Sequence, residues 1–281
     1  MNWVFIGAGN MASSLIGGLI NSGAHPSSIV VVDPDKDACD RAQTRFGIQS
    51  ASTLEAPISQ MAEQPYGVVI AVKPHIVECV CLSLTKSVDS TKQTPPLVVS
   101  VAAGVRASSM QQWLHPSSPI VRCMPNTPAL LGLGATALFA NGHCTSQDKS
   151  MAEQLLNSAG MTIWVPQENA LDAVTAVSGS GPAYFFYLIE HMAAAGKALG
   201  LDEATARDLA IETAYGAASM ARAKENTPAV LRENVTSKGG TTAAALNVFN
   251  EHRLPEIIEK AMQAAHDRAV ELGDQLAPDT E

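Results

Sequence analysis

Over the first part of the chain, short β-branched and apolar runs alternate with stretches whose apolar positions recur at helical spacing. The runs are NWVFI at 2–6, IVVV at 29–32, VVIAV at 68–72, LVVSV at 97–101, residues 120–123 and, more weakly, 135–140. Runs that are apolar throughout belong to strands covered on both faces, so the pattern predicts a mostly parallel sheet between helices. Beyond residue 166 only helical patterns remain: FFYLIEHMAAAGKALGL at 185–201, residues 202–223 with Asp202 as cap, a segment after residue 242, and 254–272 with Pro255 in its first turn. The first of these is apolar on nearly all sides, as a helix buried in a bundle or an interface is. The expected architecture is an α/β domain, 1–166, followed by an all-α domain, 167–281, whose tail frays from Gly273.

The end of the first run carries chemistry. Gly7-Ala8-Gly9-Asn10-Met11-Ala12 follows Ile6 directly and opens a helical pattern. Strand, glycine turn and helix in that order form the context in which such a motif binds a dinucleotide. Gly7 makes the tight turn, Gly9 lets the backbone reach a pyrophosphate, and the small Ala12 lets the helix pack on the strand. Asp33, at the end of the second run and about 20 residues on, is placed to hold a ribose hydroxyl. Three further strand ends carry small or turn residues that let a cofactor approach the backbone: Lys73-Pro74, Ala102-Ala103-Gly104 and MPNTP at 124–128.

A second motif, VTSKGGTT at 235–242, stands directly before another helical stretch. Its glycines let amides approach a ligand, the unpaired amides of the helix start favour an anion such as a carboxylate, and Thr241 and Thr242 add hydroxyls. Alone, the segment is a common capped helix start. In a chain with a dinucleotide motif it becomes a substrate-anion site.

A formal net charge of −9, with no Lys/Arg cluster, excludes nucleic acid and anionic membrane surfaces as expected partners. No apolar stretch spans a bilayer and no signal peptide precedes the first strand, so a cytoplasmic location is expected. The five cysteines lack CxxC spacing and the seven histidines lack paired ligand spacing, so neither a disulfide framework nor a metal site is expected.

Six motifs in order give the chain a family likeness: IGAGNMA at 6–12, AVKP at 71–74, SVAAGV at 100–105, CMPNTP at 123–128, DAVTAVSGSGPAY at 172–184 and VTSKGGTT. Over essentially its whole length the chain resembles the pyrroline-5-carboxylate reductases. The resemblance implies reduction of the cyclic imine 1-pyrroline-5-carboxylate to L-proline with NADPH or NADH, the last step of proline synthesis. It also implies an N-terminal Rossmann-like domain and a helical C-terminal dimerisation domain, with homodimers that in many relatives assemble into decamers. Carried over by position, the backbone at Gly240 and Thr241 holds the substrate carboxylate and the Thr242 hydroxyl bonds the ring nitrogen. Glu168 and Glu225 lie near the substrate, and Asn234 and Ser237 near the nicotinamide half. Ile6, Gly7, Ala8, Gly9, Asn10, Met11, Asp33, Ala71, Val72, Lys73, Pro74, Ala102 and Ala103 line the cofactor.

Two positions depart from the family pattern. Lys238 stands where many relatives have proline, and Asp33 stands where many carry a neighbourhood suited to the NADPH phosphate. A carboxylate at 33 favours NADH, while Lys36 and Arg41 are close enough in sequence to bind the phosphate, so both coenzymes remain open. Other readings are a related imine or hydroxy-acid oxidoreductase and a silent dinucleotide-binding protein. The hydroxy-acid enzymes use a lysine on the long helix, where this chain offers Lys197 only at the far end. A silent binder has no need of VTSKGGTT.

Overall fold

Among the described residues there are eight strands, β1 (Asn2–Ile6), β2 (Ile29–Val32), β3 (Gln49–Ala51), β4 (Tyr66–Ile70), β5 (Leu97–Ser100), β6 (Ile120–Met124), β7 (Gly134–Ala140) and β8 (Gly160–Trp164), of which all but β3 and β8 fall on the apolar runs. The computed structural model describes residues 2–61, 66–91 and 94–277 of the 281-residue chain. The strands form one sheet in the order β3-β2-β1-β4-β5-β6-β7-β8. Every pairing is parallel except that of β6 with β7. From β1 the chain runs outward through β2 and β3, then crosses to β4 on the other side of β1. A crevice therefore opens beyond Ile6 and Ile70, where ligands of open α/β sheets bind.

Alternate strand residues feed two cores, one on each face. Trp3, Phe5, Val31, Val69, Val99 and Val121 meet Leu15, Ile16, Leu155 and Leu156 on one side. Val4, Ile6, Val30, Val68, Ile70 and Val98 meet Ile58, Cys81, Leu84 and Met110 on the other. The helices are α1 (Asn10–Asn21), α2 (Lys36–Phe46), α3 (Glu55–Met61), α4 (Val77–Thr91), α5 (Ala107–Trp113), α6 (Ser146–Asn157), α7 (Ala170–Val174), α8 (Gly181–Ala198), α9 (Glu203–Arg222), α10 (Pro228–Asn234), α11 (Thr241–Glu251) and α12 (Leu254–Gln275). Several begin on side-chain caps: Asp35 accepts from the amides of Asp37 and Ala38, Thr145 forms a reciprocal pair with Asp148, and Asp202, the cap expected from the sequence, accepts from the Thr205 amide.

The chain divides into two compact units, one comprising residues up to Gly179 together with those from Ala265 onward, the other Ser180–Ala264. The division differs from one drawn at 166/167 because helical pattern marks where strands stop, not where packing stops. Helix α7 and the π-turn Thr175–Gly179 count with the sheet, and so does the last part of α12. The tail does not fray at Gly273: α12 runs to Gln275, with Ala269 and Gly273 buried and Leu276 packed on the second core. These small and apolar residues at spacings of four and three continue its inward face.

Residues 180–264 make an all-α unit. Helices α8 and α9 form a hairpin turned at Gly200 (φ 104°). A Cβ on Gly196 would lie 3.2 Å from that of Ala206, so the glycine lets the two helices close. Only Gly181, Ala206 and Ala210 of this unit are buried. Its bulkiest side chains are not: Phe185 is 62%, Phe186 65% and Tyr215 65% exposed.

Candidate active site

At the end of β1 the glycine turn has the geometry its residues require. Gly7 has φ +101°, its amide donates to the Val32 carbonyl at 2.8 Å, and a Cβ there would lie 2.6 Å from the Ala71 carbonyl oxygen. No other residue fits. Gly9, the N-cap of α1, is extended, and a Cβ on it would meet nothing within 4 Å. Space therefore exists above Gly9. No side chain caps α1 and no acid stands in its first turn, leaving the amides there to an anion from outside.

Asp33 leaves β2 and turns back toward this loop. Its Oδ2 accepts from the Ala8 amide at 2.8 Å and its Oδ1 from the Asp35 amide at 2.9 Å. Asp35 caps α2 and pairs with Arg41 at 3.8 Å. The sequence-assigned residues Ile6, Gly7, Gly9, Asp33, Ala71, Val72 and Lys73 come together in the wall of one open cleft of about 660 Å³. Strand β4 ends at Ile70, two residues before the apolar run does, which releases Ala71 and Val72 into this cleft. Pro74 opens the 3-10 turn that follows. Ala8 and Asn10 line a neighbouring groove along α2, while Met11 packs on the first core. Ala103 is exposed, but the Ala102 methyl is buried in the second core, so only its backbone is available to a ligand. A glycine turn open above Gly9, uncapped α1 amides and a cleft of this size fit a dinucleotide.

The second motif lies wholly in the helical unit. Gly239 has φ 73°, which favours glycine there, while a Cβ on Gly240 would displace the Ser237 hydroxyl. Gly240 is the N-cap of α11 and no side chain caps that helix. Its own amide donates to the Ser237 carbonyl at 3.0 Å, so in this conformation the free donors are those of the first turn proper, from Thr241 on. Thr242 is half-buried, while Lys238 and Glu225 are exposed. Asn234 ends α10. Lys197 pairs with Glu203 at 2.7 Å and both are largely exposed, which leaves the hydroxy-acid reading without its lysine.

Glu168 belongs with the sheet, and the structure makes it more than a surface acid. Its Oε1 accepts from Arg122 Nη1 at 3.0 Å and from the Ala107 amide, the first of α5, at 2.6 Å. Beside it, Arg106 Nη1 lies 3.4 Å from Asp172 and Nη2 3.6 Å from Asp274 on α12. Sequence reasoning missed these ion pairs. The signal was present in Arg122, a charge inside the buried strand IVRCM, which demands a partner. Among the described residues no group of three His, Cys, Asp or Glu is placed to hold a metal ion. No helix described is long and apolar enough to cross a membrane.

Residues 168–272 match the family described as pyrroline-5-carboxylate reductase dimerisation, and residues 2–104 match the NADP oxidoreductase, coenzyme F420-dependent family. A pyrroline-5-carboxylate reductase of Pseudomonas aeruginosa is 43% identical over 272 residues, covering 97% of each chain. The chain belongs to the pyrroline-5-carboxylate reductase family. Among solved structures, the pyrroline-5-carboxylate reductase of Coxiella burnetii aligns with a TM-score of 0.89 at 39% identity, covering 96% of this chain and 98% of that one. The Plasmodium falciparum pyrroline carboxylate reductase with NADP bound aligns at 0.82 and 26% identity, covering 97% and 98%. Family motifs far apart in sequence meet in the pyrroline-5-carboxylate reductase fold: Asn126 of CMPNTP donates to the Ser178 carbonyl of SGSG at 3.1 Å and accepts from the Ala135 amide at 2.9 Å. This one side chain ties the π-turn to β7.

Proposed function

We propose that the chain is a pyrroline-5-carboxylate reductase, reducing 1-pyrroline-5-carboxylate to L-proline with a dihydronicotinamide dinucleotide. The observation that carries this reading is the glycine turn, closed to side chains at Gly7 and open at Gly9, in a chain of this family. When bound, the coenzyme supplies a hydride to the imine carbon. The residues supply position and electrostatics. The amides of Gly9, Asn10 and Met11 take the diphosphate, with Ile6, Ala71, Val72, Lys73, Pro74 and the backbone of Ala102 and Ala103 along the coenzyme. Asn234 and Ser237 serve its nicotinamide half. Thr241 and Thr242 amides, with Gly240 where the turn to Ser237 opens, take the substrate carboxylate. The Thr242 hydroxyl bonds the ring nitrogen and favours the reactive, hydrogen-bonded imine. Glu225 and Glu168 stand by the substrate region in the family pattern.

The coenzyme in this reading is NADH or NADPH: Asp33 and Asp35 make the ribose end acidic, which favours NADH, while Lys36 and the exposed Arg41 are the cations that could take a 2′-phosphate. A homodimer, assembling further into a decamer, in the cytoplasm completes the proposal. The homodimer is supported by the apolar side chains that α8 and α9 leave uncovered, since surfaces of this kind are interfaces. The decisive experiment follows the oxidation of NADH and of NADPH by the purified chain with 1-pyrroline-5-carboxylate, and quantifies proline. Oxidation without stoichiometric proline, or none with either coenzyme, rejects the assignment.

A further inference from the structure

Asp33 does something that a ribose-binding acid need not do. Both of its carboxylate oxygens are bonded to backbone amides, Oδ2 to Ala8 at 2.8 Å across 25 residues of chain and Oδ1 to Asp35 at 2.9 Å. The first bond joins the end of β2 to the middle of the glycine turn. On the same side the Gly7 amide donates to Val32 of β2, and on the β4 side the Ala71 amide donates to Ile6, each at 2.8 Å. Ala8 therefore spends its amide on the protein. The donors left for a diphosphate are those of Gly9 and the start of α1, and their direction depends on how the turn is fixed. We propose that Asp33 is a positioning residue: a carboxylate strut that sets the glycine turn so that the α1 amides face the diphosphate, acting on either coenzyme regardless of what the 2′ position carries.

The proposal rests on the coenzyme reading above, but it predicts a contribution distinct from a ribose contact. Its probe is 2′-deoxy-ADP, which has the diphosphate and lacks the hydroxyl that Asp33 would bind. With a direct contact to the 2′-hydroxyl alone, this ligand is indifferent to residue 33. With a strut, it is not. Asp33→Ser removes the acceptor that reaches Ala8, whereas Asp33→Asn keeps one carbonyl oxygen for Ala8 and gives up only the bond to Asp35 in the exposed turn.

The experiment is calorimetric titration of the wild-type chain, Asp33→Ser and Asp33→Asn with 2′-deoxy-ADP, alongside steady-state kinetics. We expect Asp33→Ser to weaken 2′-deoxy-ADP by about fivefold, the scale of one hydrogen bond, and Asp33→Asn to restore it to within about twofold. In kinetics Asp33→Ser raises KM for both coenzymes while kcat at saturation holds. A merely structural role leaves KM alone and lowers the folded fraction, which circular dichroism reads. Wild-type affinity for 2′-deoxy-ADP in Asp33→Ser overturns the strut. A wild-type chain that binds neither NADH nor NADPH overturns the coenzyme reading instead.

Discussion

Glu168 holds both Arg122 and the start of α5 on a single oxygen, at 3.0 Å from the guanidinium and 2.6 Å from the Ala107 amide. The Arg122 side chain is 4% exposed and that of Glu168 18%, so the pair sits away from water. Removing one partner of a buried pair strands the other's charge. Glu168→Ala should cost about 3–5 kcal/mol in urea unfolding, and the double variant Glu168→Leu with Arg122→Met should recover much of that loss. Additive losses in the double variant would show that the two side chains do not act as a pair.

Legibility followed locality. IGAGNMA, the cap Asp202 and the apolar runs announce themselves because each depends on neighbours within a few positions. The tight glycine turn after β1 was therefore readable as a turn. Strand β3 is three residues, QSA, and has no apolar pattern to see, while β8 is an edge strand whose exposed Met161 and Ile163 alternate with half-buried neighbours. The antiparallel turn of β7 against β6 leaves no trace in composition. What Asp33, Glu168 and Arg106 bond to was not readable either, since their partners lie between 25 and 168 positions away for the bonds that matter. A charge in an apolar strand said that a partner must exist; only the fold says which.

The two glycines of the turn should fail differently. Gly7→Ala forces a side chain against the Ala71 backbone at positive φ, so it should destabilise the fold by more than about 1 kcal/mol. Gly9→Val places its branches in open space, so thermal unfolding should stay near wild type while coenzyme affinity falls at least about tenfold. Normal coenzyme titration by a folded Gly9→Val chain would contradict the assigned approach of the diphosphate.

Stability should fall in alkali. Burial pushes the thiols of Cys81 and Cys123 up to about 12 and that of Cys144 up to about 11, from an ordinary value of 9.0. Between these limits the unfolded chain has released protons that the folded chain keeps, so rising pH favours unfolding. Stability is held in full below about pH 9 and lost progressively toward pH 12, and each fully buried thiol contributes a slope of up to about 1.4 kcal/mol per pH unit. Urea midpoints at pH 8, 9 and 10 test this. The variant Cys81→Ala with Cys123→Ala starts lower because of its cavities, yet its slope with pH should be shallower; an unchanged slope removes the thiols as the cause.

Thr242 stands half-buried in the first turn of α11, where its hydroxyl is assigned to the imine nitrogen. Thr242→Ala should lower kcat about five- to a hundredfold, the equivalent of about 1–3 kcal/mol, with coenzyme affinity nearly unchanged. Thr242→Ser, which keeps the hydroxyl, should recover most of the turnover. If Thr242→Ala turns over at the wild-type rate, the ring nitrogen has another partner.

Coenzyme choice should be decided by charge at the end of β2. Substituting Asp33 disturbs the hold on Ala8 for NADH and NADPH alike, so the ratio of the two kcat/KM values isolates what the carboxylate does to a 2′-phosphate. That phosphate carries up to two negative charges, and an unneutralised carboxylate beside it costs on the order of 1 kcal/mol even at a solvated surface. Asp33→Ser should accordingly raise the NADPH-to-NADH ratio about tenfold, the factor that about 1.4 kcal/mol represents. Arg41, with Lys36, is close enough in sequence to neutralise the phosphate, and it pairs with Asp35 at 3.8 Å. Arg41→Ala should therefore leave the ratio within about twofold of wild type. A steep loss of NADPH efficiency in Arg41→Ala, with no change in Asp33→Ser, would mean that Arg41 leaves Asp35 to take the phosphate and that the acid at 33 does not discriminate.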